Sequence, residues 1–180
     1  AYKADEIIGV RLHNLRDAMT IFAVPYGQYV DNEEGLLVTI SSWRRVNDNS
    51  IPARGKITGA YINSAFMKSD AMLAGYDEAI ALNREGHVSE GSAENVFMLR
   101  DGVVITPPIT DDILEGITRR TLITLIRDEL GMECVERSID RSELTVADDM
   151  WLWGPAVQVP AVTPSDQRPG VTGQLGPSAR

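Results

Sequence analysis

At 180 residues the chain is long enough to bury a core of its own, and its 43% hydrophobic and 24% charged composition is that of an ordinary globular protein rather than a disordered one. Seventeen basic against 26 acidic side chains leave a net charge of −9, which argues against a nucleic-acid or anionic-membrane partner, since both require clustered positive charge. The one cysteine, Cys134, rules out an internal disulfide, and the only two histidines, His13 and His87, make a metal site an unlooked-for outcome. No apolar run reaches membrane-spanning length and the first residues carry no signal-peptide pattern, so a cytoplasmic setting is expected.

In chain order, residues 18–26 (AMTIFAVPY) and 36–43 (LLVTISSW) are apolar and rich in β-branched residues, and they read as two strands. Arg44 to Gly55 reads as a loop. From Ile57 the positions Tyr61, Ile62, Ala65, Phe66, Met72 and Leu73 recur at helical spacing, and Gly75 supplies a stop, so a helix is predicted from about Gly59 to Ala74. The period then changes to two. Asp77–Leu82 with His87–Val88 forms one predicted hairpin, and Asn95–Leu99 with Val103–Thr106 a second, the stretch Ser89–Asn95 being the connection between them. Gly116-Ile117-Thr118 opens a second helix with Leu122, Leu125, Ile126 and Leu130 on one side. Met132–Ser138 reads as a strand, Ser142–Ala147 as a short helix, and Met150–Trp153 and Val157–Val162 as strands. The fold class is α/β, a mixed sheet or pseudo-barrel with hairpins and packed helices. Residues 1–163 form the domain, and a Pro-, Gly- and Ser-rich tail, 164–180, is expected to be loop-like.

Three features bear chemistry. Lys56, one of only three lysines (with Lys3 and Lys68), stands at the end of a loop just before a helix. Burial there would lower its pKa and free the amine to attack an aldehyde, although a lysine before a helix is more often a solvated surface group. Ser89-Glu90-Gly91-Ser92-Ala93-Glu94-Asn95 is a small-residue turn with two carboxylates, one of which could keep a pyridine nitrogen protonated; a plain polar connection is the ordinary alternative. Leu114-Glu115-Gly116-Ile117-Thr118 opens a helix whose free N–H groups suit an anion, as every helix start does to some degree.

In this order and spacing the residues resemble the fold-type IV pyridoxal-phosphate enzymes, or class IV aminotransferases. SEGSAENVF (Ser89–Phe97), then DG, TPP and LEGITRR, carries the likeness to the group; SSWRR (Ser41–Arg45) and ARGKITGAY (Ala53–Tyr61) point to its branched-chain amino acid subgroup. The resemblance implies the fold of that family's large C-terminal domain, pyridoxal 5'-phosphate as cofactor, and transamination between branched-chain L-amino acids and 2-oxoglutarate. It implies Lys56 as the catalytic lysine that bonds the cofactor and shuttles a proton, Tyr61 on the cofactor's phenolic oxygen, and Glu90 on its ring nitrogen. Leu114 would lie against the ring, and Ile117, Thr118 and Gly154 would hold the phosphate. Tyr26, Tyr29 and Ala156 would meet the substrate, and Glu94 and Asn95 would shape the turn. A homodimer is implied as the assembly.

Two departures weigh against simple activity. Pro155 stands where the family has a threonine, removing a hydroxyl and an N–H. The family's small N-terminal domain, with its phosphate-clamping arginine, is expected to be absent, which leaves as alternatives a cofactor-binding or oligomerisation unit without turnover, or an aminotransferase of D-amino acids or amines.

Overall fold

The computed structural model describes residues 1–25, 35–154 and 162–164. At the N-terminus a two-stranded antiparallel ladder pairs β1 (Tyr2–Lys3) with β2 (Asp17–Ala18), and it is tied by Lys3–Asp17 and Arg16–Asp5 ion pairs. The other strands form one mixed sheet: β3 (Leu36–Arg44), β4 (Glu78–Leu82), β5 (Val88–Gly91), β6 (Asn95–Arg100), β7 (Val103–Thr106), β8 (Cys134–Glu136), β9 (Asp149–Trp153) and β10 (Val162–Pro164). Its order is β10-β3-β4-β5-β6-β7-β8, with β9 also pairing β6; β10–β3, β3–β4 and β7–β8 are parallel and the rest antiparallel. Helices α1 (Tyr61–Leu73) and α2 (Ile117–Asp128) pack on this sheet. The mixed α/β architecture expected from the sequence is therefore present.

Alternation along the strands sorts the core into layers. In β4, Ile80 and Leu82 face the main cluster with Val96, Met98, Met150 and Leu152, while Ala79 and Ala81 face Met67 and Ala71 of α1. The two alanines are small enough to let the helix lie close to the sheet. In β6 and β9 the opposite set, Phe97, Trp151 and Trp153, packs with Ile123 and Ile126 of α2. Phe97 and Trp153 meet with ring centroids 5.0 Å apart.

Several boundaries differ from the sequence reading, each for a physical reason. The strand expected over 18–26 shrinks to β2. Met19, Ile21, Phe22 and Val24 belong to no strand among the described residues and are exposed, because β-branched content describes a pleated surface that still needs a partner. The apolar positions Ile62, Phe66, Met72 and Leu73 of α1 face outward, and Ser64, Met67 and Ala71 are its buried set. On α2, Ile123 and Ile126 are buried while Leu125, and Leu130 just past the helix end, are exposed. Residues 58–60 and 141–145 are short 3₁₀ turns rather than α-helix. The predicted strand over 157–162 lies outside the described residues except at Val162, and β10 runs on to Pro164.

The 3₁₀ turn Arg141–Thr145 is fastened by Glu143, which accepts from the Asp140 N–H, from both guanidinium arms of Arg137, and from Arg100 of β6. These donors, Arg137 above all, hold its carboxyl down to about 2, against an ordinary value of 4.5. A depressed carboxyl stabilises the fold above its unfolded value, and that contribution disappears as pH falls toward the folded one. E143Q should therefore lower stability by about 1–2 kcal/mol at pH 6. The gap from wild type should close between pH 4.5 and 2 in urea titrations; a gap that stays constant over that window would contradict this.

Candidate active site

Lys56 sits where a pinned loop meets α1. The Asp48 N–H donates to Asp112 Oδ1 at 2.9 Å, the Ala53 N–H to Asp48 Oδ1 at 2.8 Å, and the Gly55 N–H to the Pro52 carbonyl at 3.0 Å. Asn63 of α1 bonds the Arg44 carbonyl and the Val46 N–H from the other side. The loop therefore enters the 3₁₀ turn Thr58–Ala60 with little freedom, and Tyr61 opens α1 one step later. Lys56 Nζ lies 5.5 Å from the centroid of the Tyr61 ring, a cation–π distance. Lys3 bridges Asp17 and Lys68 bridges Glu78, so of the three lysines Lys56 alone lines the cavity described below. Its expected burial is not found: the side chain is exposed among the described residues.

Glu90 was expected on a turn and is instead on β5, paired with Asn95 of β6, so that only residues 92–94 make the connection. Its side chain is 8% exposed. Oε1 lies 2.7 Å from Arg45 Nη2. Oε2 accepts the Leu114 N–H at 2.9 Å and Asn95 Nδ2 at 3.2 Å. Burial raises the carboxyl above its ordinary value, and Arg45, the Leu114 N–H and Lys56 pull against that rise without cancelling it. A carboxylate has about four lone-pair sites. Three are taken, and the one that remains is on Oε1.

The mouth of α2 completes the wall. Gly116 is its N-cap and no side chain caps it, which leaves the first N–H groups of the helix without intrahelical partners. Asn95 Nδ2 also donates to the Leu114 carbonyl, and Asn95 Oδ1 lies so close to Gly116 that a Cβ there would collide with it. Gly154 is buried against the Ala93 carbonyl and Glu94, at distances that leave room for little more than hydrogen. Glu94 accepts the Ala93 N–H at 3.0 Å, and burial, with Glu78 nearby, raises its carboxyl to about 7. Trp153 Nε1 is buried without a hydrogen-bond partner among the described residues.

These residues share one cavity of about 420 Å³, lined by Lys56, Tyr61, Glu90, Leu114, Ile117, Thr118 and Gly154, with Arg45, Arg54, Asn95, Glu94 and Trp153 among the others. Each site residue expected from the sequence that lies in the described part is thus in the same place. Tyr26, Tyr29 and Ala156 lie outside the described residues, as does Pro155. Sequence reasoning passed over Arg45, which stood in a motif without a role. It also gave Asn95 a turn-shaping role, whereas the side chain holds Glu90 and Leu114 together. No group of three or more His, Cys, Asp or Glu side chains is placed to bind a metal among the described residues.

The model of the amino-transferase class IV family matches residues 6–163. A probable branched-chain-amino-acid aminotransferase of Aquifex aeolicus is 46% identical over 177 residues, which are 98% of this chain and 57% of that protein. The branched-chain-amino-acid aminotransferase of Escherichia coli K12 is 39% identical over 160 residues, 87% of this chain and 52% of that one. Among solved structures, the branched-chain aminotransferase from Thermoproteus uzoniensis with norvaline superposes with a TM-score of 0.91 at 42% identity, covering 99% of this chain and 58% of that one. The chain spans little more than half the length of the relatives it matches. With the family model matched along nearly its whole length and the shared fold in place, the chain belongs to the class IV aminotransferases.

Proposed function

We propose that this chain forms the cofactor-holding part of a pyridoxal-phosphate-dependent aminotransferase that moves an amino group between branched-chain L-amino acids and 2-oxoglutarate. The convergence of Lys56, Tyr61, Glu90 and Thr118 on one cavity carries the reading; the names of the relatives support the substrate class. The residues present fit the cofactor. The cavity offers one free acceptor site on a buried carboxylate for a ring N–H, an uncapped helix mouth for a phosphate, and one amine for an aldehyde.

When bound, pyridoxal phosphate supplies the aldehyde and a ring that accepts the electron pair released at the substrate Cα. The Lys56 amine would hold the cofactor's aldehyde carbon and would serve as the base and acid that moves the substrate's Cα proton. The Tyr61 hydroxyl would donate to the phenolic oxygen, and Glu90 would keep the proton on the ring nitrogen. Leu114 would support the ring, while Ile117, Thr118 and Gly154 would hold the phosphate through backbone N–H groups and the Thr118 hydroxyl. We assign Tyr26, Tyr29 and Ala156 to the substrate side. We also propose a cytoplasmic homodimer: the free Cys134 thiol suits a reducing compartment, and exposed Ile62, Phe66 and Leu73 on α1 suit self-association. The exposure of Lys56 favours a second reading, in which residues 1–163 hold the cofactor as one domain without turning over by themselves.

Mixing the 180-residue protein with pyridoxal phosphate and reducing it with borohydride should label Lys56. Label on Lys3 or Lys68, or none, would remove the assignment. Adding leucine to the yellow protein separates the readings, because bleaching reports half-transamination and a persistent colour supports the non-catalytic domain. T118V should weaken cofactor binding roughly tenfold, the loss of one hydrogen bond to a charged group, in an equilibrium titration. Unchanged affinity would take Thr118 out of the phosphate site.

A further inference from the structure

Arg45 has no part in the roles assigned above. It follows β3, where its N–H donates to the Leu82 carbonyl, and its guanidinium folds inward until the side chain is 8% exposed. Nη2 meets Glu90, while Nε and Nη1 are buried with no hydrogen-bond partner among the described residues. A guanidinium fastens structure best through a two-pronged pair that uses both sides of its fork. Arg45 makes a one-pronged contact and leaves two donors unused, a costly way to hold a strand end. What it does provide at that point is a full positive charge beside a buried carboxylate.

We infer that Arg45 is a positioning residue that keeps Glu90 a carboxylate with its last lone pair offered to the cavity, and so sets whether a ring nitrogen bonded there carries a proton. The inference rests on the cofactor reading above. The donors around Glu90 explain why the charge state has this consequence. Oε2 is filled by the Leu114 N–H and Asn95 Nδ2, and one site of Oε1 by Arg45. A proton added to Glu90 can sit only on the remaining site, the one left for the ligand. The group would then offer a donor where an acceptor is required, and the ring nitrogen would take a hydrogen bond instead of holding a proton. Arg45 prevents this at close range. Its repulsion of a protonated ring is the weaker effect, because both cations lie nearer to the carboxylate than to each other. Lys56 also pulls the Glu90 carboxyl down, though less than Arg45 does, and Glu94 feels the Glu90 charge from the same wall; Arg45 is the stronger of the two cations and is the residue to change.

The test starts without cofactor. In protein carrying ¹³C-labelled glutamate, the Glu90 carboxyl signal is the one missing from E90Q, and its pH midpoint is read by NMR in wild type, R45Q, R45M and R45K. The midpoint should rise by at least one pH unit, about tenfold in proton affinity, in R45Q and R45M, and R45K should restore much of it. Far-UV circular dichroism identifies folded variants, and if R45M does not fold, R45Q decides alone. A folded R45Q with the wild-type midpoint, or an R45K displaced as far as R45Q, overturns the inference. Ring-¹⁵N-labelled pyridoxal phosphate supplies the second readout: its nitrogen should be protonated at pH 7 in wild type and largely unprotonated in R45Q. Equal protonation in both also overturns it. Failure of the cofactor reading looks different, since borohydride would then leave Lys56 unlabelled in the wild-type protein whatever Glu90 does.

Discussion

A carboxylate taken out of water must be met by donors or give up its charge. Glu90 is met by three, and they come from three separate stretches of chain: Arg45 at the end of β3, Asn95 on β6, and the Leu114 N–H before α2. Removing any of them leaves a buried group uncompensated, so the carboxylate fixes where these stretches stand relative to one another. Asn95 extends the tie to the Leu114 carbonyl, and through Gly116 to the start of α2. The turn and the helix mouth are thus held by a polar hub, while apolar packing of Ile123 and Ile126 on Phe97 holds the rest of the helix.

Small residues then decide how much room the hub leaves. Gly91 and Gly116 lie against Glu94 and Asn95, and Gly154 lies against the Ala93 carbonyl, each so closely that an added Cβ meets an atom of its neighbour. These glycines have ordinary φ angles, so close approach is what selects them rather than a left-handed backbone. The floor of the cavity is drawn in tight, which keeps backbone N–H groups near its interior. On the opposite side, the loop before Lys56 is drawn in by the Asp112–Asp48–Ala53 chain of hydrogen bonds. Two stiff walls carrying complementary groups result from quite different means.

Much of this could be read before any coordinates. The change from helical to twofold periodicity after Gly75 located α1 and β4, and the glycine-punctuated turns located β6 and β7, whereas of β5 only Val88 was expected in a strand. Lys56, Tyr61, Glu90 and Thr118 were legible through a motif whose members are 29 and 28 residues apart at their widest steps, a spacing that only the folded sheet closes. Which face of each helix is buried was not legible. Ile62 and Phe66 are more apolar than Ser64 and Ala71, yet the latter are inside, on the face whose Met67 and Ala71 pack against Ala79 and Ala81. Arg45 was not legible either. An arginine after an apolar strand has the pattern of a solvated end, and only the pairing of β3 with β4, and of β4 with β5, brings it to Glu90.

The charge of the whole chain sharpens the point about Arg45. At −9 the protein repels anions, so a phosphorylated ligand has to be drawn by local charge against the general field. Arg45, Arg54 and Lys56 put three cations on the cavity, against Glu90, Glu94 and Glu115. Two of those acids are buried, and Glu94, raised to about 7, is partly neutral near physiological pH. Arg45 neutralises Glu90 and Arg54 lies 3.6 Å from Asp48, so Lys56 is the cavity cation without an ion pair among the described residues. The charge that a ligand meets there is set locally inside an acidic protein, and it stays cationic at Lys56 because one arginine is spent on the buried carboxylate.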